Sequence, residues 1–348
     1  MTDQASTDAR QVVVEAFGGP DQLKVRPVDL PEVGPGQVRL RLTSIGMNHA
    51  ELMGRRGEYR LSSGDPPFVP GLEGGGVIEA VGDGVPAERV GQRVTLAPDT
   101  PRGDSSSGGT YRSHYLCDAD DALPAPDRLP DDQLGAVWLS YLTGWGCLIW
   151  KQNIQAGQVV AFPAASSSAA LAGAQIARQV GCTTIGLTRG ESKVDLLQKT
   201  YDHVLTTHES VDGETRMRPW HRDIKRLTDS RGIDVIYDPV ASGKYLDTEI
   251  KCLADGGCLW VYGLLGDTGP VDVTPLIRKR AAIRGWVLTE LLEAGRDQWM
   301  AGVDYIFRQI SEGRFEQVIG GRFPLDDVRR AHEAMESATH TGKLLLIP

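Results

Sequence analysis

The 348-residue chain has no Cys-x-x-Cys pair, no apolar run of transmembrane length and no surplus of basic residues. Each absence removes a class of protein. The five cysteines, Cys117, Cys147, Cys182, Cys252 and Cys258, are odd in number and scattered. That argues against a disulfide framework or a zinc cluster and for reduced structural thiols in a cytoplasmic protein. Residues 1–10 are polar and lack the apolar core of a signal peptide, so they read as a frayed start. Lysine and arginine total 37 against 46 aspartates and glutamates, a net charge of −9. An acidic chain lacks the cationic surplus that releases counterions from nucleic acid, so neither nucleic acid nor a membrane is expected as partner. Any anionic ligand must be met by a local basic patch.

What the chain does have is glycine, 41 residues of it, with 41% hydrophobic and 24% charged residues. This is ordinary globular composition, and the length suits about two domains. The first third reads as β structure. In residues 37–45, Val38, Leu40 and Leu42 alternate with Arg39, Arg41 and Thr43, and runs at 11–17, 75–81 and 93–97 look alike. Turns rich in glycine and proline separate them, which suggests antiparallel strands in a sandwich or barrel. Residues 98–109 have the composition of a flexible loop.

The rhythm changes near residue 137. Strand-like segments at 159–162, 183–187, 203–205, 233–237, 258–262 and 282–286 alternate with helix-like ones at 168–180, 192–199, 220–228 and 246–253. This alternation predicts an α/β unit with a doubly wound parallel sheet of about six strands. A long helix at 297–310, an amphipathic helix at 325–335 and a terminal strand at 344–347 follow, with the strand expected to return to the β-rich unit. The expected bounds are 1–136 and 289–348 for the β-rich domain and 137–288 for the inserted α/β domain.

In such sheets ligands sit beyond the carboxyl ends of the strands. The first strand-to-helix turn, 163–170, reads PAASSSAA. A dinucleotide site expects glycines there, to let backbone approach a pyrophosphate. Ser166, Ser167 and Ser168 are small and can donate to phosphate, yet a plain serine N-cap explains them as well. At the next strand end stand Arg189 and Lys193, with Glu191 the only nearby acid. Two cations suit a 2′-phosphate and so favour NADPH over NADH; a solvated surface pair is the alternative.

Several segments together resemble the medium-chain dehydrogenase/reductase superfamily, and within it the zinc-free quinone oxidoreductase branch. They are GMNHAE (46–51), PGLEGGGVIEAVGDGV (70–85), GQRV (91–94), YLTGWG (141–146), the strand–ASSSA–helix turn and the terminal TGKLLLIP. The resemblance implies a GroES-like β-rich domain interrupted by a Rossmann domain. It also implies NADPH-dependent hydride transfer to a small quinone or conjugated carbonyl, in a homodimer. Met47 and Leu72 stand where the zinc enzymes of the superfamily place Cys and His, and neither is a plausible Zn²⁺ ligand. No metal is therefore expected. A zinc-type alcohol dehydrogenase and a non-catalytic NADPH-binding protein are the competing readings.

By the same resemblance, Asn48 points to the nicotinamide ribose or the substrate, flanked by Glu51 and by His49, a catalytic candidate because a histidine beside a cleft can titrate near neutrality and donate. Tyr59 falls where related reductases carry a tyrosine at the cleft mouth, and it is a candidate to polarise or protonate the substrate. Thr143 and Tyr141 match the motif near the nicotinamide, and Tyr262, Gly263 and Leu264 the strand end whose backbone meets its amide. Trp286 and Leu288 would wall the substrate, and Lys343 would lie near the cofactor. For each residue a packing or surface role is the plainer alternative, and Glu73 reads as a buried ion-pair partner.

Overall fold

The computed structural model describes residues 9–60, 63–99 and 108–348. Most of the loop expected over 98–109 and most of the start at 1–10 fall outside them, although Ala9 is buried and Arg10 already begins a strand. The first seven strands are β1 (Arg10–Val14), β2 (Leu23–Pro27), β3 (Gln37–Gly46), β4 (Gly74–Val81), β5 (Arg93–Leu96), β6 (His114–Asp118) and β7 (Ala122–Pro124). The next six are β8 (Val159–Phe162), β9 (Thr183–Thr188), β10 (His203–Thr206), β11 (His208–Val211), β12 (Glu214–Met217) and β13 (Ile233–Asp238). β14 (Leu253–Val261), β15 (Ala282–Gly285), β16 (Ile319–Pro324) and β17 (Lys343–Ile347) complete the set.

The chain divides into two compact units, one of Met1–Leu139 with Val303–Pro348 and the other of Ser140–Gly302. The first is a mostly antiparallel sheet in the order β16-β17-β3-β4-β5-β7, with β6 also on β3 and a separate β1–β2 pair. Its core follows the alternation in β3. Val38, Leu40 and Leu42 are buried while Arg41 faces solvent, the period-2 pattern of a one-sided sheet. The terminal strand β17 pairs antiparallel with β3 at Leu345–Gly46 and Leu346–Ile45, so the chain end does return to this unit.

The second unit is a parallel sheet ordered β10-β9-β8-β13-β14-β15. Counted within the unit this is 3-2-1-4-5-6, the doubly wound dinucleotide order, with its switch point between β8 and β13. All four residues of β8 are buried, as a central parallel strand requires. The helix Thr289–Glu293 and the start of Arg296–Ser311 belong here, not with the return segment drawn from residue 289. Leu291 is buried beside Gly146, and a side chain at Gly302 would strike Leu142 and Trp145 at 2.7 and 2.9 Å. The hairpin β11–β12 was not anticipated. Its turn is Asp212-Gly213, both at positive φ (53° and 80°), the two-residue geometry that Asp-Gly favours. Among the described residues no helix is long and apolar enough to cross a membrane.

Candidate functional site

Two sets of residues, one in each unit, carry the chemistry. In the β-rich unit the helix α1 (His49–Arg56) starts at Asn48. The Asn-x-x-Glu spacing lets Glu51 fold back and accept the Asn48 backbone N–H at 2.8 Å, one half of a capping box. The same carboxylate accepts the Leu72 N–H at 3.2 Å. Lys343, at the start of β17, places its ammonium on Glu73 Oε1 and on Asn48 Oδ1. Lys343 and Glu73 are each 1% exposed. The second Glu73 oxygen accepts the Leu139 N–H at 3.2 Å.

This cluster fixes the Asn48 amide. Its Nδ2 lies 3.2–3.3 Å from Glu73 Oε1, Glu51 Oε1 and the Gly46 carbonyl, three acceptors for two hydrogens. Its Oδ1 takes one hydrogen bond from Lys343 and keeps one lone pair. Asn48 can therefore accept from a ligand hydroxyl and has no N–H left to donate. Lys343 is sealed inside the unit, with Asn48 between it and solvent-accessible space as its polar partner beside Glu73. The signal in the sequence for this pair is Glu73, an acid in a glycine-rich strand start.

Glu51 is buried with two charged neighbours. Burial raises its carboxyl to about 7, against the pull of Lys343 and the Asn48 hydrogen bond. The folded chain thus holds this proton up to about pH 7, whereas an unfolded carboxyl loses it near 4.5. Stability from this group falls as pH rises across that window, by up to about 3 kcal/mol. Glu51→Gln, which stays neutral, should flatten the fall in melting temperature between pH 5 and 8 relative to wild type. Equal slopes in both proteins would contradict this charge state.

His49, the first residue of α1, is held below its usual range by burial and by Arg56, opposed by Glu58 and Glu336. It is neutral at pH 7. Tyr59 is half-buried beyond the end of α1, its carbonyl accepting the Ser63 hydroxyl at 3.3 Å, and burial raises its phenol. It keeps its proton at working pH and can act as a donor. Met47 is buried and Leu72 is half-buried; among the described residues no three His, Cys, Asp or Glu side chains stand together as metal ligands.

In the α/β unit, β8 runs into α2 (Ser168–Val180) through the serine turn. Ser167 is the N-cap, its hydroxyl accepting the Ala170 N–H at 3.3 Å. That leaves the Ser168 and Ala169 N–H groups as the open donors of the first turn. Ala164 takes φ 48°, a left-handed conformation for which glycine is the unstrained choice. Lys193 donates to Ser166 Oγ at 3.1 Å, and burial with the nearby Arg189 charge lowers its ammonium. His208 of β11, whose N–H meets the Arg189 carbonyl at 3.1 Å, is lowered by burial and then by Arg189. A helix start, small hydroxyls and two crowded cations form a donor set that fits a phosphate-bearing nucleotide.

The other expected contacts divide. The loop after β14 is pinned where Tyr262 N meets Asp238 O at 2.9 Å and Leu265 N meets Pro239 O at 2.9 Å, a pairing that skips Gly263 and Leu264. Tyr262 stacks on Tyr237 with centroids 3.8 Å apart. Tyr141 is 1% exposed, with its hydroxyl on Gln175 Oε1 at 3.2 Å, so it packs against α2. Trp286 is also buried, donating to the Thr143 carbonyl at 3.0 Å and meeting Trp150 edge-on. Both tryptophan and tyrosine find partners for their polar atoms in the interior. Leu288 is half-buried at the start of Thr289–Glu293.

Residues 34–127 match the family described as "Alcohol dehydrogenase GroES-like domain" and residues 170–308 the family described as "Zinc-binding dehydrogenase". The chain is 29% identical over 344 residues to quinone oxidoreductase of Homo sapiens, covering 97% of each. It is 28% identical over 344 residues to a 2-haloacrylate reductase of Burkholderia sp, covering 97% of this chain and 98% of that one. Among solved structures, a mycobacterial protein complexed with NADPH superposes with a TM-score of 0.82 at 25% identity, covering 97% of this chain and 100% of the other.

Proposed function

The chain belongs to the medium-chain dehydrogenase/reductase superfamily, in its quinone oxidoreductase-like branch, and from that premise we propose that it is an NADPH-dependent reductase of quinones or activated C=C bonds. The observation that carries this reading is the Lys193–Ser166 contact beside Arg189, at the first turn of a 3-2-1-4-5-6 sheet. The relatives named quinone oxidoreductase and 2-haloacrylate reductase support the substrate class.

When bound, NADPH supplies the hydride. The serines and the start of α2 would hold its phosphates, and Arg189 and Lys193 would hold the 2′-phosphate. The free lone pair of Asn48 takes a hydroxyl of the ribose or the substrate. Gly263 and Leu264 would offer backbone to the carboxamide, and Thr143, in the separate YLTGWG segment, would lie near the nicotinamide. Hydride addition to a conjugated carbonyl leaves negative charge on its oxygen, which needs a donor. Tyr59, kept protonated by burial, fills that role; neutral His49 is next to it in the order of candidates.

The test is steady-state NADPH consumption with a panel of quinones and cyclic enones. Tyr59→Phe deletes only the hydroxyl, and it should lower turnover by roughly 10²–10³-fold, the usual cost of one such donor. Turnover equal to wild type would remove Tyr59 from the reaction and leave water as the acid.

A further inference from the structure

The α/β unit has a second concentration of positive charge, with no residue in common with the serine turn. The helices His221–Leu227, Gly243–Cys252 and Thr274–Lys279 frame a concavity of about 490 Å³. Lys225, Lys251, Arg278, Lys279 and His221 line it against one acid, Asp272. The chain as a whole is acidic by nine charges, so four Lys and Arg around one hollow run against its composition.

Each cation lies in the last turn of its helix, where the exposed carbonyls favour positive charge. That ordinary role accounts for part of the charge. Three helix ends amount to about −1.5 and Asp272 to −1, which leaves a surplus of roughly +1.5 from four cations. Lys279 donates to the Leu253 carbonyl at 2.5 Å. Lys225, Lys251 and Arg278 reach no acid among the described residues and are exposed. Asp272 has one carboxylate oxygen occupied, accepting the Thr274 N–H at 2.9 Å. Two neighbouring groups feel the resulting field. After burial, Arg222, Lys225 and Lys251 lower His221, and Lys279, Lys225 and Lys251 pull down a Cys252 thiol that burial and Glu249 raise.

We propose that this concavity binds a phosphorylated small molecule, with its phosphate dianion held between Lys225, Lys251 and Arg278. A phosphomonoester carries about −1.5 to −2 at pH 7, which matches the surplus. The volume falls within the range of small-molecule sites, so the remainder of the ligand has room over Pro275 and Thr274. The cations are solvent-facing, so binding weakens as salt rises.

Calorimetric titration of inorganic pyrophosphate into the full chain at low ionic strength tests this. The expected result is saturable binding whose Kd rises about tenfold or more in Lys251→Ala/Arg278→Ala, as two charge-assisted contacts are lost. Binding should survive in Lys251→Arg and in Arg189→Ala/Lys193→Ala, which separates this site from the serine turn. Competition by AMP alone identifies a nucleotide ligand, and competition by glycerol 3-phosphate as well identifies any phosphomonoester; either supports the site. Equal competition by sulfate, unchanged affinity in Lys251→Ala/Arg278→Ala, or loss confined to Arg189→Ala/Lys193→Ala would overturn it.

Discussion

Replacing Arg189 and Lys193 together by alanine should lower NADPH affinity by about a hundredfold and leave NADH affinity within a factor of about two. A charge-assisted contact to phosphate is worth about 1.5–3 kcal/mol, and the exposure of Arg189 places it toward the low end. The two cations sit close enough that Arg189 lowers the Lys193 ammonium, after burial. Without an anion between them that proximity is unfavourable. The apoprotein of the double variant should therefore be as stable as wild type or slightly more so, while the gain in stability on adding NADPH shrinks. Single-site titrations of both cofactors, with thermal melts of each state, check this. An NADPH preference that survives both substitutions would refute the assignment of the 2′-phosphate.

Lys343→Met should be the most damaging single change in the β-rich unit. Among the described residues the ammonium is the one cation on Glu73, and both side chains are sealed from solvent. Removing one partner of a buried pair leaves a desolvated charge, at a cost of about 3–5 kcal/mol. At about 2–4 °C per kcal/mol for a unit of this size, the melting temperature should fall by roughly 10 °C or more. Adding Glu73→Gln to Lys343→Met should recover part of the loss, because no unpaired carboxylate then remains. A melting temperature within about 2 °C of wild type would mean that the pair contributes little. The same variant removes the hydrogen bond to Asn48 Oδ1, so NADPH affinity or turnover should drop even where the protein remains folded.

The sheet order and the return of β17 were legible because they rest on periodicities that local sequence carries. The alternation in β3 and the uniform apolarity of β8 each follow from which faces a strand buries. The hairpin β11–β12 was also written in the sequence, as Asp212-Gly213, but its strands are short and mostly exposed, so no apolar pattern drew attention to it. The Glu51–Asn48–Glu73–Lys343 cluster was only half legible. The Asn-x-x-Glu spacing announces a helix start, whereas a contact between residues 48 and 343 depends on β17 pairing with β3. For Lys343 and Tyr141 motif position suggests ligand contact, and the burial of both side chains was not legible from the motifs.

The central claim is hydride transfer from NADPH to an electrophilic carbon. The most direct measurement uses NADPH carrying deuterium at the transferring C4 position, a cyclic enone and the wild-type protein, with the product analysed by mass spectrometry and NMR. The account predicts one deuterium at the former β-carbon and a solvent-derived hydrogen at the α-carbon, with one NADPH oxidised per product. NADPH that binds at the serine turn and returns unoxidised across quinones and enones, with no deuterium in any product, would contradict it and leave a nucleotide-binding protein without reductase activity.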